Sequence, residues 1–194
     1  SCCIAAAEQC GTKEGDVVVV IGCGPLGLLH TIVSKGRGAK VIAVDLNEQR
    51  LEAVRELGAD VTVNPESTNV EEVVASETRV GADVVIGALG IPKVMETYFP
   101  LVRNGGVFNI FGGTPRGETM TIDPRWLHYG EIVLTGTFAS ALGHFKAAFE
   151  FVQDHAEPIL KVVSTRCELD DILNAVERVK SGQGTKSIIL FGEG

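Results

Sequence analysis

A glycine-rich turn between a strand and a helix constrains this chain more than any other feature of its sequence. Residues 17–21 are a run of β-branched side chains, too short for a buried helix, and they predict a strand covered on both faces. The next six residues match the G-x-G-x-x-G pattern: Gly22, Cys23, Gly24, Pro25, Leu26 and Gly27. Proline suits an early helical position, where its missing N–H costs nothing. The segment therefore predicts a dinucleotide-binding unit.

Each glycine of this motif has its own predicted role. Gly22 permits the tight turn, Gly24 lets the backbone approach a pyrophosphate, and Gly27 allows the helix to pack closely on the strand. The diphosphate would then meet free N–H groups and the positive end of the helix dipole. A glycine pattern alone can be an ordinary turn, but the strand before it and the helix after it favour phosphate binding.

Strands and helices alternate along most of the chain. Further strands are predicted at residues 41–44, 61–63, 83–87, 107–111 and 132–137. Strands separated by helices run parallel in one sheet with right-handed crossovers. We therefore expect an α/β fold, a doubly wound Rossmann-type parallel sheet of six strands with helices on both faces. Two more helices and a last strand are predicted at residues 145–152, 169–179 and 187–191.

An acidic residue follows the second predicted strand. Asp45 lies 23 positions after Gly22, near the spacing of about 20 at which a carboxylate meets the adenosine ribose hydroxyls. Leu46 stands where an NADP site would more often offer a cation or a hydroxyl, so NAD is favoured over NADP. Asp45 could instead be a solvated acid before the helix cap Asn47. Arg50 could contact the ribose or pair with a surface glutamate.

Two later glycine clusters also follow predicted strands. Residues 87–90 include Ala88 and Leu89, and residues 112–115 begin with Gly112 and Gly113. Ligands of open α/β sheets bind at the carboxyl ends of the strands, where small residues let a ligand lie against the backbone. We expect these clusters to form the floor of the site, although ordinary turns also use glycine.

Charge and composition exclude several classes of protein. Lysine and arginine number 17 against 25 acidic residues, a net charge of −8 without a basic run, which argues against nucleic-acid binding. The apolar stretches fall short of the ~20 residues of a membrane helix, and no signal peptide is recognised. The five cysteines lack metal or redox spacing, so a reducing, cytoplasmic setting is expected. The start at Ser1 suggests a piece of a longer protein.

Candidate catalytic residues are scarce. The four histidines are not spaced like metal ligands, and neither tyrosine is followed by lysine four positions later. The nucleophile elbow and the P-loop lysine are absent too. We therefore expect cofactor binding with no catalytic residue and no metal ligand. Cys23 could be a thiol activated by the helix N-terminus or a small buried filler.

The sequence resembles a known family at several places. Residues 14–27, 41–45 and 56–60 are similar to the cofactor half of medium-chain, zinc-type alcohol and polyol dehydrogenases. The sorbitol, threonine and sugar-alcohol-phosphate branches are the most similar, because of residues 127–136 and 169–189. The resemblance implies NAD contacts at Gly24, Pro25, Leu26, Asp45, Arg50, Ala88, Leu89, Gly112 and Gly113. It also implies that Thr137 and Phe138 flank the nicotinamide.

The resemblance further implies a division of the chain and of the reaction. Residues 1–14 would be a lead-in helix from an absent catalytic domain, residues 15–153 the dinucleotide-binding domain, and residues 154–194 a segment returning to the catalytic domain. That absent N-terminal domain would hold the zinc that polarises a secondary alcohol before hydride leaves for NAD. The piece alone would be inactive.

The resemblance also implies a homodimer that pairs an edge strand running from Thr119 to Ile122. Two other functions stay open. One is a stand-alone NAD-sensing module without catalysis. The other is a nucleotide-using enzyme such as a methyltransferase, which the six-strand pattern and the turn at Gly112 fit less well.

Overall fold

A computed structural model of the chain describes residues 1–191. The end of the predicted 154–194 segment, residues 192–194, therefore lies outside the described residues. Six strands form one parallel sheet: β1 (Val17–Ile21), β2 (Lys40–Val44), β3 (Val61–Val63), β4 (Ala82–Gly87), β5 (Val102–Ile110) and β6 (Val133–Gly136). Their order is β3-β2-β1-β4-β5-β6, so β1 and β4 lie side by side where the winding reverses. The predicted doubly wound α/β fold is confirmed.

Helices connect these strands and continue beyond them. They are α1 (Cys2–Gln9), α2 (Pro25–Gly36), α3 (Glu48–Glu56), α4 (Val70–Thr78), α5 (Pro92–Tyr98), α6 (Pro124–Tyr129), α7 (Leu142–Asp154), α8 (Ala156–Lys161) and α9 (Ile172–Lys180). Short 3-10 turns lie at Phe99–Leu101 and Leu169–Asp171. A second, two-stranded parallel sheet joins β7 (Val163–Glu168) to β8 (Lys186–Leu190). β7, α6 and α8 were not predicted from the sequence.

The middle strands of the sheet are buried on both faces. Val18 and Val20 of β1 belong to one apolar cluster, which includes side chains of α2 and α3. Val19 and Ile21 belong to another, which includes side chains of α4 and α5. Successive side chains of a strand point to opposite faces, so the continuous apolar run of β1 fills both clusters. The glycine-rich turn that follows β1 is thereby held at a fixed place on the sheet edge.

The predicted edge strand from Thr119 to Ile122 was expected to pair with a second copy of the chain, and it stays a prediction. In the described chain this segment has no strand partner. Its Thr121 backbone N–H donates to Glu96 Oε1 at 2.6 Å, and Met120 and Ile122 pack against the cluster on the α4 and α5 side. Within one protomer, therefore, a side chain and apolar contacts hold this segment, and no backbone ladder does. The edge of the sheet on this side is β6.

His30 on α2 should give folding a pH dependence. The side chain is 1% exposed and its ring nitrogens have no hydrogen-bond partner among the described residues. Burial lowers the pKa of His30 to about 3. An unfolded histidine has a pKa of about 6.5, so as the pH falls below that value the unfolded state takes up a proton that the folded state does not, and stability falls.

We therefore expect His30→Leu to weaken this pH dependence. Between pH 7.5 and 5.0 the original chain should lose about 2 kcal/mol of unfolding free energy relative to the variant. Urea unfolding of both chains at the two pH values measures the difference. An offset that is equal at both pH values would contradict the expectation.

Candidate functional site

Each of the three glycines of the glycine-rich turn meets a different requirement of the backbone. Gly22 has a φ of +92°, a conformation that other residues rarely adopt. A Cβ on Gly27 would lie 1.9 Å from the Gly22 carbonyl oxygen, so the helix can approach the turn only without a side chain there. A Cβ on Gly24 would meet nothing within 4 Å. Gly24 therefore faces open space, next to the N–H groups of the first turn of α2, which have no intrahelical acceptors.

Asp45 joins this turn to the end of β2. Its side chain is 8% exposed, so it is not a solvated surface acid. Its carboxylate accepts hydrogen bonds from the Cys23 N–H at 2.7 Å and from the Asn47 N–H at 2.9 Å. Arg50 Nη1 lies 3.7 Å from the same carboxylate, so Arg50 pairs with Asp45 rather than with a glutamate. Asn47 caps α3 by accepting from the Arg50 N–H at 3.1 Å.

A cleft of about 720 Å³ opens at the carboxyl ends of the strands. It brings together seven of the predicted site residues: Gly22, Gly24, Asp45, Leu46, Arg50, Ala88 and Leu89. Its lining does not include Pro25, Leu26, Gly27, Gly112, Gly113, Thr137 or Phe138. The cleft is thus formed at the reversal of strand order, where open α/β sheets bind their ligands.

The cleft also includes residues that sequence reasoning missed. They are Ile21, Val44, Asn47, Pro65, Glu66, Ile91, Val94, Thr97, Tyr98, Ser181 and Gly182. Pro65 and Glu66 follow β3, and Ile91 precedes α5. A search of the residues that follow the predicted strands could therefore have included them. Ser181 and Gly182 follow α9, and no sequence signal placed that turn beside β2.

The two later glycine clusters pack against each other. A Cβ on Gly112 would lie 2.2 Å from the Leu89 carbonyl carbon, and a Cβ on Gly90 would lie 2.0 Å from the Gly113 carbonyl oxygen. Backbone therefore meets backbone between the loops after β4 and β5. These glycines hold the Leu89 side of the cleft in place, whether or not they also touch a ligand.

Comparison with known proteins identifies the family. Residues 25–154 match the model of the zinc-binding dehydrogenases. The chain belongs to this family. The resemblance drawn from the sequence is thereby confirmed.

Individual known proteins are similar to almost all of the chain. A probable D-xylulose reductase A of Aspergillus niger is 31% identical over 188 residues, 94% of this chain and 52% of that protein. The L-threonine 3-dehydrogenase of Symbiobacterium thermophilum is 32% identical over 177 residues, 89% of this chain and 50% of that protein. An alcohol dehydrogenase structure from Thermotoga maritima superposes with a TM-score of 0.91 at 26% identity, covering 97% of this chain and 53% of that one. The chain spans about half the length of these relatives.

Thr137 and Phe138 line a different cavity. It has a volume of about 490 Å³ and lies between α1 and the loop after β6. Phe138 is 99% exposed, whereas the Thr137 hydroxyl is hydrogen bonded on both sides. The structure therefore separates these two residues from the cleft at Asp45.

Cys23 is a buried filler and not an activated thiol. Its side chain is 0% exposed, and burial, followed by the nearby Asp45 carboxylate, raises the pKa of the thiol to about 12. The Arg50 charge lowers this pKa, but it is the smallest of the three effects. The thiol lies 3.7 Å from the Val44 carbonyl oxygen and packs in the core.

Thiol labelling should separate the cysteines by burial. Cys2 and Cys167 are partly exposed, whereas Cys3, Cys10 and Cys23 are buried. We expect a maleimide to label the first two in the native chain and the other three only after unfolding, because the thiolate is the reactive form. Mass spectrometry of the labelled peptides gives the result. Rapid native labelling of Cys23 would contradict the burial described here.

The described residues show neither a metal centre nor a membrane helix. In the described range 1–191, no group of three or more His, Cys, Asp or Glu side chains is placed to hold a metal ion. Every helix in that range is too short or too polar to cross a membrane.

Proposed function

We propose that this chain is the NAD-binding half of a zinc-dependent alcohol or polyol dehydrogenase. The observation that carries the proposal is the cleft that places the glycine-rich turn, Asp45 and Leu89 around one volume. When bound, NAD supplies the hydride acceptor for oxidation of a secondary alcohol. The family and the similarity to a xylulose reductase and a threonine dehydrogenase support this substrate class.

Three features of the cleft support a dinucleotide as its ligand. The open space beside Gly24 would take the pyrophosphate against the first turn of α2. The Asp45 carboxylate would accept hydrogen bonds from the adenosine ribose, with Arg50 beside it. Ile91 and Val94 add apolar surface to the lining, as an aromatic base requires.

We propose NAD in preference to NADP. A 2′-phosphate on the ribose would lie against the buried Asp45 carboxylate, and two negative charges at that distance repel each other. Leu46, 61% exposed, offers no cation or hydroxyl to such a phosphate. The Arg50 guanidinium is already paired with Asp45.

Calorimetric titration of the chain with NAD and, separately, with NADP tests the proposal. We expect NAD to bind more tightly by about tenfold or more, which corresponds to at least ~1.4 kcal/mol. Equal affinity would contradict the NAD preference, and failure of both to bind would contradict the dinucleotide site itself. A chain with this fold but without the site would give the second result.

The zinc and the substrate contacts belong, in this proposal, to the other half of the complete protein. Residues 1–14 would lead in from that half, residues 15–153 form the cofactor domain, and residues 154–194 return toward it. The exposed apolar side chains Leu173, Val176 and Val179 of α9 support this division, because a covering domain would bury them. The chain alone should bind cofactor and transfer no hydride, in a cytoplasmic protein.

We further propose a homodimer; the predicted segment 119–122 is one candidate edge for it, and β6 is a second. β6 is the open edge of the sheet, and its Val133 and Leu134 are 52% and 37% exposed. Trp126 and Leu127 of α6 are also exposed. Antiparallel pairing of two β6 edges would cover this surface. Sedimentation equilibrium should show a dimer that Val133→Glu dissociates, and a monomeric original chain would refute the dimer.

A further inference from the structure

A chain of polar side chains connects α1, β5 and the loop after β6. Asn109 of β5 is 0% exposed, and its Nδ2 donates to Thr137 Oγ1 at 2.9 Å. The Thr137 hydroxyl donates to Gln9 Oε1 at 2.8 Å. The Gln9 amide then donates to the Gly136 carbonyl oxygen at 3.2 Å and to the Thr135 hydroxyl. The end of β6 is thus bonded to a helix on one side and to a buried strand on the other.

The loop held by these bonds is in an unfavourable conformation. Ala139 has a φ of +61°, in the left-handed region, which costs a residue with a Cβ about 1 kcal/mol. Phe138, next to it, is 99% exposed. A strained residue next to an exposed apolar side chain keeps its conformation only if neighbouring contacts hold the loop in place. The Thr137 hydroxyl is one such anchor, and the Thr137 N–H, which donates to the Ile110 carbonyl oxygen at 3.2 Å, is another.

Asn109 is a poor choice for stability alone. Its Oδ1 is buried and has no hydrogen-bond partner among the described residues. An unpaired buried acceptor costs about 1–3 kcal/mol, and an apolar side chain of similar size would avoid that cost. The Asn109 amide also interacts with the Cys10 thiol, and its bond to Thr137 is the one that reaches the loop after β6.

We propose that Asn109 and Gln9 are positioning residues that hold the Thr137 to Ala139 loop against the nicotinamide half of the dinucleotide. The inference rests on the proposed function. With the adenosine half at β2 and the pyrophosphate at the glycine-rich turn after β1, the other half extends past the ends of β4, β5 and β6. The β6 end is where Phe138 stands. Neither Asn109 nor Gln9 needs to touch the cofactor, since both act through Thr137.

The test compares two ligands that differ in the nicotinamide. NADH contains it and ADP-ribose does not, so the ratio of their affinities isolates the contact in question. We expect the original chain to bind NADH more tightly than ADP-ribose. Asn109→Leu and Gln9→Ala should each weaken NADH binding about fivefold to tenfold, the size of one or two hydrogen bonds. Affinity for ADP-ribose should stay unchanged, as measured by calorimetry.

A matched pair of variants at Thr137 separates the hydroxyl from the shape of the side chain. Thr137→Ser keeps the hydroxyl and should keep the ratio of the affinities for NADH and ADP-ribose. Thr137→Val removes the hydroxyl and should bring that ratio closer to one. Gln9 is exposed, so Gln9→Ala gives a result even if Asn109→Leu does not fold.

The outcomes distinguish this inference from the proposed function. If both ligands bind the original chain equally, or if the variants leave the ratio unchanged, the positioning role is overturned while the dinucleotide site stands. If neither ligand binds, the proposed function fails and the inference fails with it. An equal loss for both ligands in the variants would show a structural role only and would also overturn the inference.

Discussion

Gly27→Ala should destabilise the chain by about 3 kcal/mol and reduce NAD affinity about 100-fold. The added Cβ would lie 1.9 Å from the Gly22 carbonyl oxygen and 2.9 Å from its carbonyl carbon, both backbone atoms. Backbone cannot swing aside as a flexible side chain can, so either the turn or the start of α2 must move. The turn carries the proposed phosphate site, and both stability and binding therefore fall together. Urea unfolding and calorimetric titration with NAD measure the two effects.

Two other glycine variants act as matched controls. Gly143→Ala makes the same substitution in α7, where a Cβ meets nothing within 4 Å, and should change stability by less than about 1 kcal/mol with NAD binding unchanged. Gly24→Ala also meets nothing, so folding should be preserved, but its methyl group enters the space proposed for the pyrophosphate. We expect normal stability with at least tenfold weaker NAD binding. Unchanged NAD affinity in Gly24→Ala would place the pyrophosphate elsewhere.

Local signals were sufficient to predict most of the sheet. The run of β-branched residues in β1 is buried on both faces, and only a central strand of a covered parallel sheet satisfies that pattern. The motif also predicted the conformation of Gly22 and the close packing at Gly27, because a turn this tight excludes side chains. Asn47 was predicted as a cap and is one.

Other features depend on contacts between distant parts of the chain and could not be predicted. The segment from Thr119 to Ile122 has strand-forming residues, but the Glu96 carboxylate takes the Thr121 N–H and the segment pairs with no strand within the described chain. Ser181 and Gly182 reach the cleft from a separate two-stranded sheet region. Gln9 and Thr137 are 128 positions apart in sequence and directly bonded in space.

Asp45→Ala should reduce NAD affinity about 100-fold and remove the preference over NADP. The carboxylate offers the ribose hydroxyls a charged acceptor, and each such hydrogen bond is worth about 1.5–3 kcal/mol. The same group repels a 2′-phosphate, so NADP should lose much less affinity than NAD. Without its partner, the Arg50 guanidinium, now 3.7 Å from Asp45, becomes free to pair with that phosphate. Titration of the variant with both cofactors measures the change in preference.

Asp45 also holds the glycine-rich turn, so the loss of charge must be separated from the loss of an anchor. Asp45→Asn keeps an oxygen that can accept from the Cys23 N–H, now at 2.7 Å, but removes the negative charge. We expect Asp45→Asn to retain the stability of the original chain and still lose most of its NAD preference, because the charge is what discriminates the two riboses.

Asp60→Ala is the matched control for Asp45→Ala. Like Asp45, Asp60 accepts a backbone hydrogen bond and pairs with a cation, but it lies outside the cleft. Asp60 accepts from the Val41 N–H at 2.7 Å and pairs with Lys35 at 2.8 Å, and it does not line the cleft. Its loss should lower stability and leave both cofactor affinities unchanged. If Asp60→Ala altered the NAD to NADP ratio as strongly as Asp45→Ala, the preference would come from the net charge of the chain and not from the position of Asp45. If the position of the carboxylate determines the preference for NAD, only Asp45 at the end of β2 should affect it, because only Asp45 is within reach of the ribose that the cleft would hold.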